Sequence, residues 1–460
     1  MNKWLSKIIG ARSSGTNRKV RPTRPPRVVR PGMNADAKEP GQRIVKLVDG
    51  VCLADLHSTL QNIVSSLFSG DVLELTLASV LNSARVNDIL VWMVIVGVPS
   101  CGKTETVLGV RHEPTVYYLD KLTDHAFVSG YVRKDGTSPT DLLAELNGKC
   151  LVVKDLSPLF SARPEITKGV IGDMVSIYDG SFSAKFGTKE KVTYETRFSF
   201  VACVTPKAIQ GHQTYMSELG SRPLMYRVPA LSDDEKETGK DMILKDGKRK
   251  ERIELYGQIC SSYAHSLLKA ALAKISLPEE HGKTLSRMAD LLASGRAVGL
   301  ASEHDGNASK DFQVEEPFRI LLQLRSLVCA LAVVHGRREV TDHEMELARR
   351  VVLSTVQPNR GSVLALFQNA AALTPEGGIT VKVCSEHLAL GTSGADRLLN
   401  ELVGLGILEA DTSRREHQYK PRPVYADLVT KPIEPINHVA DLATVDVKQE
   451  AQTKVIPSPT

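Results

Sequence analysis

Eight consecutive apolar residues, Ile89-Leu90-Val91-Trp92-Met93-Val94-Ile95-Val96, run directly into Gly97-Val98-Pro99-Ser100-Cys101-Gly102-Lys103-Thr104. This junction constrains the fold more than any other stretch of the chain. An unbroken apolar run reads as a strand buried on both faces, which belongs to a parallel sheet covered by helices. The segment after it has the pattern G-x-x-x-x-G-K-T, which predicts a strand, a tight loop and then a helix. Glycines let such a loop wrap closely around a polyphosphate, and successive backbone N–H groups face the charge. Gly97, Pro99, Ser100, Cys101 and Gly102 line the expected loop. Lys103 reaches the terminal phosphates, and the Thr104 hydroxyl sits on Mg²⁺, so the expected ligand is ATP with Mg²⁺.

With 460 residues the chain suits two or three domains. No apolar run approaches the roughly 20 residues of a membrane span, and no membrane partner is expected. Seven cysteines (Cys52, Cys101, Cys150, Cys203, Cys260, Cys329 and Cys384) are scattered without a C-x-x-C pair. That argues against a disulfide framework and a structural zinc site, and favours a reducing, cytoplasmic compartment. Residues 1–32 hold nine lysines and arginines and no acid; against the chain's +5, that leaves about −4 for the remainder. The basic character is therefore that of a tail. Its Arg-Pro repeats (Arg21-Pro22, Arg24-Pro25, Arg30-Pro31) keep it extended. Three roles fit it: an electrostatic nucleic-acid contact, a solvated end, or a transit segment.

The apolar pattern divides the chain into a basic tail (1–44), a helical segment (45–88), an α/β core (89–232), a helical region (251–358), a compact unit (362–428) and a tail (430–460). Strands are expected at 90–97, 115–119, 150–155 and 197–204, with Met225–Val228 closing a parallel sheet. The charged stretch Leu231–Lys250 reads as a loop or linker, and 296–315 as loose.

Further along the core, the strand Cys150-Leu151-Val152-Val153 leads into Lys154-Asp155. An acid at a strand tip beside a phosphate loop suits a Mg²⁺ ligand, so Asp155 joins Thr104 as a candidate metal residue. Leu156 follows where many ATPases carry a water-activating acid, so the residue that activates water is not evident. Thr205 ends the next strand and is placed to bind the γ-phosphate or the attacking water. Arg222 and Arg227 flank the last strand, and a permanently charged, forked arginine suits a transferring phosphoryl group. The candidate catalytic set is Lys103, Asp155, Thr205 and Arg222.

This order of motifs over 90–230 resembles AAA+ ATPases, and within them the superfamily 3 helicases and the primase-helicases of phages and poxviruses. The segment Ile177-Tyr178-Asp179-Gly180-Ser181-Phe182-Ser183-Ala184-Lys185-Phe186-Gly187, followed by Lys191-Val192-Thr193-Tyr194, resembles that group's hairpin. The resemblance implies a hairpin that grips single-stranded DNA in a central pore, with Lys185, Lys189 and Lys191 as phosphate contacts. It also implies a homo-oligomeric ring, a hexamer, in which Arg222 completes the neighbouring subunit's site. Glu316-Pro317-Phe318-Arg319 and the segment Gly336–Ala348 resemble the helical lid of the minichromosome-maintenance helicases, which implies that Arg319 touches the γ-phosphate. Thr341 with Glu344 is expected to form a capping box there.

The unit at 362–428 reads as a winged helix: helix one at Val363–Ala372, helix two at Val381–Leu390, and a recognition helix at Ser393–Leu402 with Ser393 as cap and Arg397 exposed. Arg414, Arg415 and Lys420 fall on the wing and suit contacts to duplex DNA. The expected fold is thus α/β, a P-loop AAA+ core with a helical lid and a winged helix. Two functions follow. One is a DNA-dependent ATPase that acts as a ring helicase or translocase in the replication of a phage or mobile element. The other is an ATP-switched DNA-binding regulator or loader with slow hydrolysis, favoured by the single acid at Asp155 and by Thr205 where the family has asparagine.

Overall fold

A computed structural model of the chain describes residues 53–64, 69–84, 89–124, 126–128, 141–185, 191–210, 222–245, 247–269, 275–299, 312–413 and 416–434. All of them belong to one compact unit, 44–460. The basic tail, most of the C-terminal tail, Lys189, Arg414 and Arg415 lie outside the described residues.

Two helices, α1 (Leu53–Gln61) and α2 (Ser69–Ser83), precede the sheet. In chain order the core then runs β1 (Trp92–Val96), α3 (Lys103–Val107), β2 (Val116–Leu119), α4 (Leu142–Leu146), β3 (Cys150–Val153), α5 (Ser157–Phe160) and α6 (Pro164–Tyr178). An antiparallel hairpin, β4 (Ser181–Ala184) and β5 (Val192–Glu195), leads into β6 (Ser199–Val204), α7 (Pro206–Gln210) and β7 (Pro223–Arg227). Five of these strands make one parallel sheet in the order β2-β3-β6-β1-β7, the α/β layer expected.

Strands β1 and β6 are buried throughout, and their side chains alternate between the two faces of the sheet. On β1, Val91, Met93 and Ile95 join one hydrophobic cluster, while Trp92, Val94 and Val96 join another on the opposite face. On β6, Val201 and Cys203 face the first cluster, and Phe200, Ala202 and Val204 the second. Each such large side chain contributes about 1.5–3 kcal/mol by leaving water, which is why the apolar runs commit to central strands. The first face is covered by α2, buried along its whole length. Helix α2 is tied to the sheet where Asn82 Oδ1 accepts from Val91 N (2.7 Å) and Ser199 Oγ donates to Ser79 O (2.6 Å).

After the sheet come α8 (Asp233–Lys245), α9 (Arg249–Lys269), α10 (Glu279–Arg296), a short pair β8 (Val298–Gly299) and β9 (Phe312–Gln313), α11 (Phe318–Val334) and α12 (Asp342–Thr355). Helix α8 overturns the expectation of a linker. It buries no residue; the pairs Lys236–Asp233, Lys240–Glu237 and Lys245–Asp241 run along its surface one turn apart. Charge pairs at this spacing support a helix that has no apolar stripe to reveal it.

The C-terminal unit contains α13 (Pro358–Leu366), α14 (Val381–Leu388), α15 (Thr392–Gly404), an antiparallel pair β10 (Leu408–Asp411) and β11 (Gln418–Pro421), and α16 (Ala426–Thr430). Helix one lies earlier than expected: it runs from Pro358 to Leu366, and Ala370–Ala372 is a separate turn whose Ala371 N–H is captured by Asn369 Oδ1 at 3.1 Å. Nor is Ser393 the cap of α15. Gly391 occupies that position in an extended conformation, and no side chain caps the helix. One continuous hydrophobic cluster joins this unit, the helices α9 to α12 and one face of the sheet.

Candidate functional site

The Gly97–Thr104 loop leaves β1 at the C-terminal edge of the sheet, anchored where Gly97 N donates to Val204 O on β6 (3.1 Å). Two of its residues have positive φ, Ser100 at 63° and Gly102 at 83°. Such reversals turn successive N–H groups toward a common centre. The Ser100 conformation costs a residue with a side chain about 1–2 kcal/mol. The loop closes so tightly that a Cβ on Gly97 would lie 2.6 Å from Cys101 Sγ. Only glycine fits there. Lys103 is buried, and its Nζ donates to Val98 O at 3.1 Å, across the mouth of the loop.

The cradle is backed by elements distant in sequence. Val64, just past α1, is so close to Gly102 that a Cβ there would lie 2.1 Å from Val64 Cγ1. Arg249, at the start of α9, donates to Ile63 O (3.1 Å) and lies 3.7 Å from Glu105. Tyr256 packs on Gly109 and donates to Thr106 O at 3.1 Å. No local pattern marks Val64 or Arg249 as neighbours of the loop.

Three further strand tips reach the same edge. Cys203, on the central strand β6, reports the convergence. Burial pushes its thiol up to about 12; Lys103 and a hydrogen bond with Thr104 pull it down, and Cys101 and Asp155 push it up. Cys203 Sγ donates to Lys103 O at 3.8 Å, so the central strand touches the start of α3, and the charge of Asp155 is felt there too. Asp155 is exposed just beyond β3, and its Oδ1 accepts from Ser157 N at 2.9 Å. Ser157 Oγ lies 3.5 Å from Thr205 Oγ1 and accepts from Thr205 N at 3.3 Å. Asp155, Ser157 and Thr205 thus form one small polar network beside the loop.

Asp120, which sequence reasoning did not single out, stands at the tip of β2, next to β3 and on the same edge of the sheet as the loop. Its carbonyl accepts from Asp155 N (3.2 Å), and its Oδ1 accepts from Tyr118 Oη (2.7 Å). Burial, then the Asp120 hydrogen bond and charge, raise the Tyr118 hydroxyl to about 12. Asp120 carries much the same signal as Asp155, an acid just past a four-residue strand, but β2 is half-buried and reads Val-Tyr-Tyr-Leu, whereas β3 is apolar and buried throughout.

Neither Arg222, expected to serve the neighbouring subunit's site, nor Arg319, expected at the γ-phosphate, stands at the loop of its own chain. Arg222 precedes β7, whose Pro223 pairs with Trp92 and whose Arg227 pairs with Val96. It is therefore at the N-terminal edge of the sheet, five residues of strand, or roughly 16 Å, from the loop. There its Nη2 donates to Asp179 Oδ2 at 3.0 Å. Arg319 lies at the same edge, 3.9 Å from Asp179, beside a cavity of about 220 Å³ lined by Leu90, Trp92, Tyr178 and Phe198. Contact between Arg319 and a phosphate in its own chain's loop is ruled out by that separation. Arg227 is level with the loop, but its Nε donates to Ser354 O at 2.9 Å.

The hairpin also projects from that far edge. Lys185 and Lys191 are exposed at its two inner ends, and Ser183 Oγ and Thr193 Oγ1 pair across it at 2.8 Å. In the C-terminal unit Arg397 is exposed on α15, and Lys420 is half-buried on β11 opposite Glu409. Among the described residues no helix is long and apolar enough to cross a membrane. No protein-family model matches the chain, and a search of curated proteins also returns no match.

Proposed function

We propose that the chain binds and hydrolyses ATP at the Gly97–Thr104 loop and uses that cycle to move along or separate DNA as a ring-forming, AAA+-like motor. The observation that carries the reading is the parallel register of β3, β6 and β1, which brings Asp155 and Thr205 to the edge of the sheet where the Gly97–Thr104 loop leaves β1. The residues fit the ligand: Ser100 and Gly102 turn the loop's backbone with positive φ, Lys103 is buried beneath it, and a Cβ at Gly97 would crowd Cys101. Thr104 and Asp155 would hold Mg²⁺, which supplies charge neutralisation across the phosphates.

Lys103 releases the Val98 carbonyl and binds the phosphate oxygens instead. Thr205 and Ser157 position the attacking water. Asp120 accepts its proton as the water oxygen bonds to the γ-phosphorus and the bond from that phosphorus to the departing ADP breaks, giving the site the second acid that Leu156 does not provide. Lys185 and Lys191 track single-stranded DNA phosphates, and a winged-helix reading of the C-terminal unit gives Arg397 and Lys420 a duplex contact. Arg222 serves the neighbouring subunit, for which it must leave Asp179.

The test is ATP turnover with and without single-stranded DNA. DNA should stimulate it, and Lys103→Ala should lower it by at least a hundredfold. Unchanged turnover in that variant removes the nucleotide assignment. Strand displacement on a forked duplex then separates motor from switch: stimulated turnover without displacement favours the regulator or loader.

A further inference from the structure

Far from the loop, the end of α11 and the start of α12 meet the middle of α2 in a group of histidines and glutamates that the ATP reading leaves unused. Glu74, on α2, is fully buried. Its Oε2 lies 3.0 Å from His335 Nε2 and 3.3 Å from His343 Nε2, and its Oε1 lies 3.0 Å from His57 Nε2 on α1. His335 caps α11 and is fully buried at its side chain; His343 is in the first turn of α12 and nearly so. The His335 and His343 rings are 4.5 Å apart at their centroids and cross at 81°.

We infer that Glu74, His335 and His343 form a binding site for a single transition-metal dication, of which Zn²⁺ is the natural occupant. Four observations carry it. The three ligand atoms all lie within 4.8 Å of one another. A tetrahedral zinc with bonds near 2.0–2.1 Å holds its ligand atoms about 3.3 Å apart, and the two Glu74–histidine separations are 3.0 and 3.3 Å. His335 Nε2 is close to Glu74 Oε2, yet the pair lacks hydrogen-bond geometry; nitrogen and oxygen share a neighbourhood without pointing at each other. Finally, the second shell is in place. The Nδ1 of His335 is held by Glu344 Oε1, which fixes the ring and frees Nε2 for a metal, and His57 holds the outer oxygen of Glu74.

Glu344 is itself fixed. It closes the capping box with Thr341 (2.7 Å from Thr341 N) and accepts from Arg337 Nη1 at 2.6 Å. Two imidazoles and one carboxylate suit Zn²⁺ over Mg²⁺ or Ca²⁺, which take oxygen ligands. The scattering of cysteines says nothing against such a site, because no cysteine takes part. Bound metal would tie α2, which backs the sheet, to the corner between α11 and α12.

The full chain, purified without a metal-affinity tag, is expected to carry one zinc per chain by elemental analysis. After chelation, Zn²⁺ should rebind and raise Tm, and Co²⁺ should give the visible absorption of a four-coordinate site. His343→Gln, at the most exposed ligand, should weaken Zn²⁺ binding at least tenfold and abolish the Tm rise while leaving circular dichroism unchanged. Lys103→Ala should keep its zinc, which separates this site from the nucleotide loop. If His343→Gln does not stay folded, Co²⁺ absorption of the wild-type chain decides alone. No zinc in the native protein together with no cobalt spectrum overturns the inference, as does undiminished binding by a folded His343→Gln.

Discussion

At the scale of single residues, the chemistry of the proposed site turns on which acid faces water. Asp155 is occupied with Ser157 N and sits where a metal ligand belongs. Asp120 is largely exposed, one strand over, and held by Tyr118. Asp120→Asn is expected to lower kcat for ATP by roughly a hundredfold with little change in nucleotide affinity, since a general base acts only in the transition state. Asp155→Asn should instead raise the Mg²⁺ concentration needed for turnover. Equal effects from both variants on metal dependence would assign Asp120 to the metal as well. Steady-state kinetics over a Mg²⁺ series distinguishes these outcomes.

At the scale of elements, the informative strand is β7. It is an edge strand, and an edge exposes backbone groups that need partners. Here α12 and α10 supply them. Thr355 Oγ1, on α12, accepts from Met225 N (2.8 Å) and has its one proton within reach of Val351 O (2.6 Å) and Met225 O (3.0 Å), and Arg296 Nη2, at the end of α10, donates to Pro223 O. Thr355→Val keeps the shape and removes both hydroxyl bonds, leaving buried backbone groups of β7 unpaired. The expected cost is about 1–3 kcal/mol in urea unfolding. A change under about 0.5 kcal/mol would mean that β7 is covered by apolar contact alone. Helix α8 teaches the converse. Its stability comes from surface charge pairs, so its composition resembles that of a linker.

Across the whole molecule, α2, α12 and the C-terminal segment meet at Glu346, which pairs with Arg349, Arg350 and Lys431; Arg350 continues to Asp71 on α2. Burial raises the Glu346 carboxyl, but the hydrogen bond and charge of Arg349, with Lys431 and Arg350, outweigh it and bring it from 4.5 to about 2. A depressed acid stabilises the fold fully above its unfolded value, and that contribution is lost as pH falls from 4.5 through about 2. Glu346→Gln should therefore be less stable than wild type at neutral pH and show a shallower loss of stability across that window. Parallel acid-unfolding curves would remove this role. Assembly is tested at the same scale: mixing Arg222→Ala with Lys103→Ala chains should restore part of the ATPase activity that each lacks alone. A mixture no more active than its components would confine Arg222 to its ion pair with Asp179.

By itself, the sequence determined the five sheet strands and the loop after the first of them. Those signals are local: an apolar run long enough to be buried on both faces, then glycines where a side chain would collide with its own loop, as at Gly97 against Cys101. It also determined the capping box of Thr341 and Glu344, because that too is closed within four residues. Tertiary structure alone decided which edge of the sheet each residue reaches. Parallel strands send Asp120, Asp155 and Thr205 to the edge of the sheet that carries the loop, and the same register leaves Arg222 and Arg319 at the other end. It likewise brought Glu74 to His335 and His343 across more than two hundred and fifty residues, and Val64 to Gly102. Local pattern encodes burial, which each residue reports through its own polarity; proximity depends on the order and direction of strands, which no single segment carries.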